Sequence, residues 1–276
     1  MEDDVLKPIY VRELFKQKAP RLARYIPGFV FRWLSRIICE DQINDFIAKF
    51  GDYKGIAFAD GILEYLNVKV NIEGKENLPL TDGRYIFVSN HPLGGPDGIA
   101  LISFLGSIFP VLKFPVNDIL LNLKNLNNVF LPINKHGRLS KEVVKNIENA
   151  YQSDAQMIMF PAGLCSRMMK GEIKDLPWQK NFISEAIKHH RDIVPIHISG
   201  RNSLFFYKLA NFRKRIGIKF NIEMLWLPKE TFGKRDTSLT LTIRKPISWQ
   251  SIDRSKKPQL LAAEIRKNLY KKNVEM

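Results

Sequence analysis

Apolar residues recur with two different periods along this chain, and the switches between them mark out its elements. From residue 8 to residue 66 the spacing is helical: aromatic and aliphatic side chains mix with arginines over 26–38, and Phe46, Ile47 and Phe50, then Ile62, Leu63 and Leu66, continue the pattern to Asn67. Residues 68–72 alternate apolar and polar positions, which predicts a half-exposed strand ending at Gly74. Tyr85 to Val88 is an unbroken apolar run that predicts a buried strand, and 99–105 is too apolar for an exposed helix. Residues 114–117 and the Leu- and Asn-rich 119–128 read as a connection to a short strand at 129–131. Residues 139–151 predict an amphipathic helix capped by Ser140, with Val143, Val144, Ile147, Ala150 and Tyr151 on one face. A buried strand at 156–160 leads to Pro161-Ala162-Gly163, and a helix from Pro177 to His190 turns Phe182, Ile183, Ala186 and Ile187 inward. Strands follow at 193–198, 220–227 and 239–243, before a terminal helix opened by Pro258 and lined by Leu261, Ile265 and Leu269. Strands separated by helices, with strands returning late, predict an α/β fold: a mixed β-sheet flanked by helices, with an N-terminal helical segment at 1–66 and the main domain at 67–276.

Charge changes this picture by its distribution. The 276 residues carry 43 Lys and Arg against 28 Asp and Glu, a net +15. Residues 7–36 hold +7 and residues 200–276 hold +12, while 37–199 are close to neutral at −1. A core of neutral charge between two basic ends favours an anionic surface, either a membrane leaflet or a nucleic acid. The 26–38 segment, with Arg32 and Arg36 among aromatics, reads either as a helix lying in a membrane interface or as a helix packed on the core with its basic residues in water. The same choice applies to 201–215, where aromatics interleave with Arg213, Lys214 and Arg215; single-stranded nucleic acid is a third reading there. Cys39 and Cys165 have no metal-ligand or redox spacing, which suits a reducing compartment, and nothing reaches the roughly 18 consecutive apolar residues of a spanning helix. The expectation is a cytoplasmic protein, peripheral on the inner face of the cell membrane.

The candidate chemistry lies where the strand at 85–89 breaks into Asn90-His91-Pro92-Leu93-Gly94-Gly95-Pro96-Asp97-Gly98. Imidazole is the side chain best suited to general-base work near neutral pH when a carboxylate fixes its tautomer, and Asp97 is the nearest carboxylate. The alternative is a turn in which His91 only bonds backbone and Asp97 only caps a helix. No Gly-x-Ser-x-Gly elbow, Walker loop, dinucleotide fingerprint or zinc spacing occurs, and Cys165 lacks a neighbouring base. Of the other histidines, His189, His190 and His197 read as structural, as does His136 in a basic loop.

Asn90-His91 with Asp97, then Phe160-Pro161-Ala162-Gly163-Leu164-Cys165-Ser166-Arg167, then Ile193-Val194-Pro195-Ile196, follow in an order and strand context that resemble the glycerolipid and lysophospholipid acyltransferase superfamily over about residues 70–245. The resemblance implies an O-acyltransferase in which His91 deprotonates a lysolipid hydroxyl that attacks an acyl thioester, Asp97 orients His91, and backbone amides near the turn hold the oxyanion. It also implies an acceptor site at Gly163, Ser166 and Arg167, with Lys135 from the segment standing where the family's second block falls. The partners implied are a lysolipid acceptor, an acyl carrier protein or coenzyme A thioester as co-substrate, and an anionic membrane surface, with no nucleic acid, no cofactor and no metal. Five residues, where the family has four, separate His91 from Asp97; Ala162 stands in place of its glutamate, Leu164 and Cys165 in place of its threonine and arginine, and Ile133 in place of the second block's arginine. These departures point away from a glycerol-phosphate acceptor and resemble a divergent, hemolysin-like branch that includes O-acyltransferases of ornithine and glycine aminolipids. The competing class is a non-catalytic lipid-surface or nucleic-acid binder built on a decayed acyltransferase fold.

Overall fold

The computed structural model describes residues 6–116, 120, 123–133 and 140–271. Helices α1 (Val11–Lys18), α2 (Pro20–Ala23), α3 (Gly28–Ile37), α4 (Glu40–Phe50) and α5 (Ile56–Tyr65) occupy the segment with helical spacing. Strand and helix then alternate through β1 (Lys69–Glu73), β2 (Tyr85–Ser89), α6 (Pro96–Gly106), β3 (Leu112–Val116), β4 (Phe130–Pro132), α7 (Lys141–Gln152) and β5 (Gln156–Met159). A small hairpin, β6 (Arg167–Met169) and β7 (Glu172–Lys174), precedes α8 (Asn181–His189), β8 (Asp192–Ile198) and α9 (Leu204–Arg215). The chain closes with a 3-10 turn at Ile222–Trp226, α10 (Leu227–Phe232), β9 (Ser238–Ile243) and α11 (Pro258–Leu269).

One mixed sheet orders its strands β1-β9-β8-β2-β5-β3-β4. From β8 to β4 all pairs are parallel; β9 runs antiparallel to β8 and parallel to β1. Successive residues of a strand face opposite ways. Phe87 of β2 packs with Phe58 of α5 and with Leu101 and Leu105 of α6, while Ile86 and Val88 pack on the other face with Phe182, Ile183 and Ala186 of α8 and Ala262 of α11. Helices on both faces explain why β2 is an apolar run instead of an alternating one. They also make α5, the last helix of the N-terminal segment, part of the main core. Arg191, fully buried just before β8, ties the sheet's lower edge by donating to the carbonyls of Tyr151, Ala155 and Ser153 around the end of α7.

Three elements correct the sequence reading. Residues 112–116 form strand β3, not a connection. Phe114 N donates to Val129 O and Ile133 N to Val116 O, so the Pro115 nitrogen falls on the opposite edge, toward β5, whose pairing with β3 stops at Lys113 and Met157. A proline there interrupts no ladder bond. Residues 220–227 are not a strand: their turn draws Glu223 into the interior, fully buried, to meet Arg167 and Arg213. Helix α8 starts at Asn181 and not at Pro177, because Trp178 Nε1 donates to Asp175 and Gln179 N to Pro161 O, which holds the preceding residues as a loop.

Candidate active site

The exit from β2 is pinned before the chemistry begins. Ser89 Oγ donates to Ile196 O at 2.7 Å, Asn90 Nδ2 donates to Ile198 O at 2.8 Å, and Ile198 N donates back to Asn90 Oδ1 at 2.7 Å. These bonds lock the strand end to β8 and set the direction of His91.

His91 Nδ1 lies 2.9 Å from Asp97 Oδ2. The loop between them curls back through Gly94, whose φ of +87° is left-handed and where a Cβ would stand 2.8 Å from Leu227 Cδ2 of α10. Asp97 is fully buried in the first turn of α6, an end of the helix that favours negative charge. Its Oδ2 also accepts from the amides of Leu93 (2.8 Å) and Gly94 (3.1 Å), and its Oδ1 from Gly98 N (3.0 Å). Burial by itself raises this carboxyl, but the His91 charge and the hydrogen bonds from His91, Leu93 and Gly94 outweigh it and hold the group below its ordinary value. An acceptor at Oδ2 places the proton on Nδ1 and leaves the Nε2 lone pair outward. The ring stacks on Phe160 at 4.0 Å and 16°, and Phe160 meets Phe114 edge-on at 5.4 Å. With 17% of its side chain exposed, His91 offers one edge to a substrate. The amides of Leu93 and Gly94, within the turn expected to hold an oxyanion, are committed to Asp97.

The second loop leaves β5 beside β2, so both approach the site at the carboxyl ends of parallel strands, where open α/β sheets bind their ligands. Gly163, half-buried, has a φ of +67° and closes the turn with its N donating to Phe160 O at 2.9 Å. Ser166 N donates to His91 O at 2.7 Å, so the two loops are directly joined. The Ser166 hydroxyl is buried and donates to Asp175 Oδ1 at 2.6 Å. Arg167 is buried as well: Nη1 donates to Cys165 O at 2.9 Å and Nη2 to Glu223 Oε1 at 3.0 Å. The structure thus brings Ser166 to His91 but turns the polar groups of Ser166 and Arg167 to protein partners. Lys135, with His136 and Arg138, lies outside the described residues. Cys165 is fully buried, and burial pushes its thiol up to about 11 despite the Arg167 guanidinium beside it, which disfavours a nucleophilic thiolate.

Glu223 serves two arginines. Arg213 Nε stands 2.9 Å from Oε2, close enough for an ion pair though not aligned as a hydrogen bond. Glu223→Ala is expected to leave the buried Arg167 and the half-buried Arg213 without their carboxylate and to destabilise the protein by about 3 kcal/mol, read as a lower midpoint in denaturant unfolding. An unchanged midpoint would show that solvent reaches the arginines.

Sequence reasoning missed two residues of the site. Asp175, fully buried, accepts from His91 N at 3.1 Å, from Ser166 Oγ and, through Oδ2, from Trp178 Nε1 at 2.9 Å; its own N donates to Tyr270 Oη at 3.1 Å. One residue therefore joins the His91 and Ser166 loops through its carboxylate and the terminal helix through its backbone, and no spacing in the sequence marks it. Phe160, quoted only as part of a block, supplies the face on which the imidazole lies.

A family model described as Acyltransferase matches residues 13–273. The lyso-glycine lipid O-acyltransferase of Bacteroides thetaiotaomicron is 48% identical over 272 residues, covering 98% of this chain and 100% of the relative. That of Phocaeicola vulgatus is 46% identical over 272 residues, covering 98% and 97%. Among solved structures, the 1-acyl-sn-glycerophosphate acyltransferase of Thermotoga maritima superposes with a TM-score of 0.47 at 19% identity, covering 92% of this chain and 84% of that one. A match along nearly the whole chain, over a loop that holds a histidine against a buried aspartate at the end of a central strand, leads to one assignment: the chain belongs to the acyltransferase family, and the protein is an acyltransferase.

Proposed function

We propose that this acyltransferase moves a fatty acyl group from an acyl carrier protein or coenzyme A thioester to the hydroxyl of a lyso-glycine lipid, with His91 as general base. The observation that carries the reading is the His91–Asp97 contact at 2.9 Å, which fixes Nδ1 as the donor and aims Nε2 outward. The likeness to two lyso-glycine lipid O-acyltransferases along nearly their whole length supports that acceptor class. In the first step Nε2 takes the acceptor's hydroxyl proton while the oxygen bonds to the thioester carbonyl carbon, giving a tetrahedral oxyanion. Collapse of that intermediate breaks the carbon–sulfur bond, and the imidazolium returns its proton to the leaving thiolate, so His91 ends neutral. Ala162, Leu164 and Cys165, which replace the superfamily's phosphate-reading positions, agree with an acceptor that lacks phosphate. The reading as a non-catalytic binder leaves the orientation of His91 without a purpose.

A peripheral place on an anionic membrane surface, on the side where soluble thioester donors are found, belongs to the same proposal. Among the described residues no helix is long and apolar enough to cross a membrane. Tyr25, Phe29 and Trp33, in and just before α3, are 81%, 63% and 51% exposed beside Arg32 and Arg36. The Trp33 ring meets Trp226 edge-on at 5.9 Å, and Trp226 lies 5.6 Å from Phe205, so this aromatic face continues onto α9 with its basic end at Arg213, Lys214 and Arg215. Aromatic side chains among cations suit a head-group layer.

The test is direct. Purified protein given a labelled acyl thioester and a lyso-glycine lipid should form a doubly acylated lipid in a His91-dependent manner, with the two donor carriers compared side by side. Free fatty acid as the only product, at a rate indifferent to the lysolipid, would replace the transferase reading of the acceptor step with hydrolysis.

A further inference from the structure

Beside the His91 loop lies a cavity of about 660 Å³ to which the mechanism above gives no role. Its lining includes Arg201, Asn202, Phe205, Trp226, Lys229 and Lys234, drawn from the start of α9, the 222–226 turn and the α10 region. Three cations border it, and none of them is within ion-pair distance of a carboxylate among the described residues. The one acid on its wall, Glu230, is held by Ser203, whose N and Oγ both donate to it. Arg167, the cation that the superfamily pattern offers to an acceptor, is instead spent on Glu223. Lys234 is half-buried, and desolvation lowers its ammonium below the ordinary lysine value, with Glu230 opposing and Arg201 adding to the shift. An anion beside it relieves that cost.

A second observation comes from Asn202. Only 2% of it is exposed, and its Nδ2 donates to Leu93 O at 3.1 Å, two residues from the base. That bond fixes which end of the amide is oxygen, and Oδ1 is a buried acceptor with no hydrogen-bond partner. The site therefore presents cations for an anionic group, and Asn202 ties its wall to the His91 loop. Phe205 and Trp226 complete its wall, and Trp226 meets Trp33 edge-on at 5.9 Å, so an apolar edge leads away from the cavity.

We propose that this cavity is the head-group site of the enzyme, in which Arg201, Lys229 and Lys234 take the carboxylate of an N-acylated glycine. The inference rests on the lyso-glycine lipid reading and adds where the head group sits: the carboxylate of a glycine attached through nitrogen suits three cations, whereas glycine attached through its carboxyl would bring an ammonium to them. The position favours acceptor over donor. In a lysolipid the reacting hydroxyl and the head group are a few bonds apart, as the cavity and His91 are joined by one loop; in a pantetheine thioester the phosphate lies the whole length of the arm from the reacting carbon.

The test uses the full-length protein in two measurements. Calorimetric binding of an N-acylglycine amphiphile, below its micelle concentration, is expected to be about tenfold tighter than binding of its carboxamide, and Arg201→Gln/Lys234→Gln is expected to abolish that preference. In turnover with lyso-glycine lipid the same double variant is expected to raise the acceptor KM about tenfold, with the donor KM unchanged and kcat retained, the pattern of lost uniform binding. Equal binding of acid and carboxamide by the wild-type protein overturns the site, and so does a rise confined to the donor KM. Selective binding of the acid with no acylation of lyso-glycine lipid leaves the carboxylate site standing and overturns the acceptor named under the proposed function.

Discussion

Replacing His91 with alanine is expected to lower kcat for acyl transfer about a thousandfold or more, within the range lost when a positioned general base is removed. The fold should survive the change. His91 contributes its side chain to one stacking contact with Phe160 and one bond to Asp97, and Asp97 keeps the amides of Leu93, Gly94 and Gly98. The backbone bonds that join His91 to Asp175 and Ser166 are untouched by truncation beyond Cβ. Single-turnover transfer from a labelled thioester, run beside thermal unfolding, separates the outcomes: a large fall in rate with a cooperative unfolding transition retained, its midpoint lowered only by the loss of a partner for Asp97, is the expected pair. Turnover at the wild-type rate would remove His91 from the mechanism and with it the reading of the loop.

Asp97→Asn should cost about a hundredfold or more, for a reason that geometry makes specific. Oδ2 accepts from His91, Leu93 and Gly94, and Oδ1 accepts from Gly98, so every contact of the carboxylate is with a donor or with the imidazole nitrogen. An asparagine with its oxygen at the Oδ2 position sets its NH₂ against the Gly98 amide. In the other orientation the NH₂ faces two amides and donates to His91 Nδ1, which moves the imidazole proton to Nε2 and disables the base. The double variant His91→Ala/Asp97→Asn is accordingly expected to be no slower than His91→Ala alone, since the two side chains act as one unit. Stability carries a sign that can be checked independently. A carboxyl held below its ordinary value stabilises the fold fully above that ordinary range, near pH 4, and loses the contribution as pH falls through its folded value. The gap in unfolding free energy between wild type and Asp97→Asn should therefore narrow on acidification below about pH 4. A gap independent of pH would mean that folding leaves the Asp97 carboxyl at its ordinary value, and a gap that widens on acidification that it is raised.

The parts of the site that could be read in advance are those whose physics is local. An apolar run breaking into glycines and prolines marks a buried strand and its turn, and the His91 and Asp97 side chains meet because glycine at 94 takes a conformation that other residues resist. Helix α6 was visible for the same reason, being too apolar to face water. What escaped was set by partners distant in sequence. Pro115 is tolerated in β3 because the pairing of β5 with β3 ends at Met157, before its nitrogen is needed, a fact that belongs to the neighbour. Glu223 pulls 220–227 out of an extended form to reach Arg167, 56 residues earlier. Asp175 gathers the His91 loop, the Ser166 loop and the terminal helix, yet alone in the sequence it is one carboxylate among many. Arg167 was expected to face the acceptor from its block alone; burial beside Glu223 gives its guanidinium a partner within the protein.

The place of β2 in the sheet has a consequence for how the base moves. Its five residues are buried on both faces and paired on both edges, with β8 on one side and β5 on the other. Local opening of such a strand requires its neighbours to separate, so its amides exchange with solvent only when the whole sheet comes apart. His91 hangs two residues beyond that strand and is tied at Asn90 to β8. Its backbone is also bonded to Asp175 and Ser166, so local opening around the base has to break those bonds as well as the Asn90 pair.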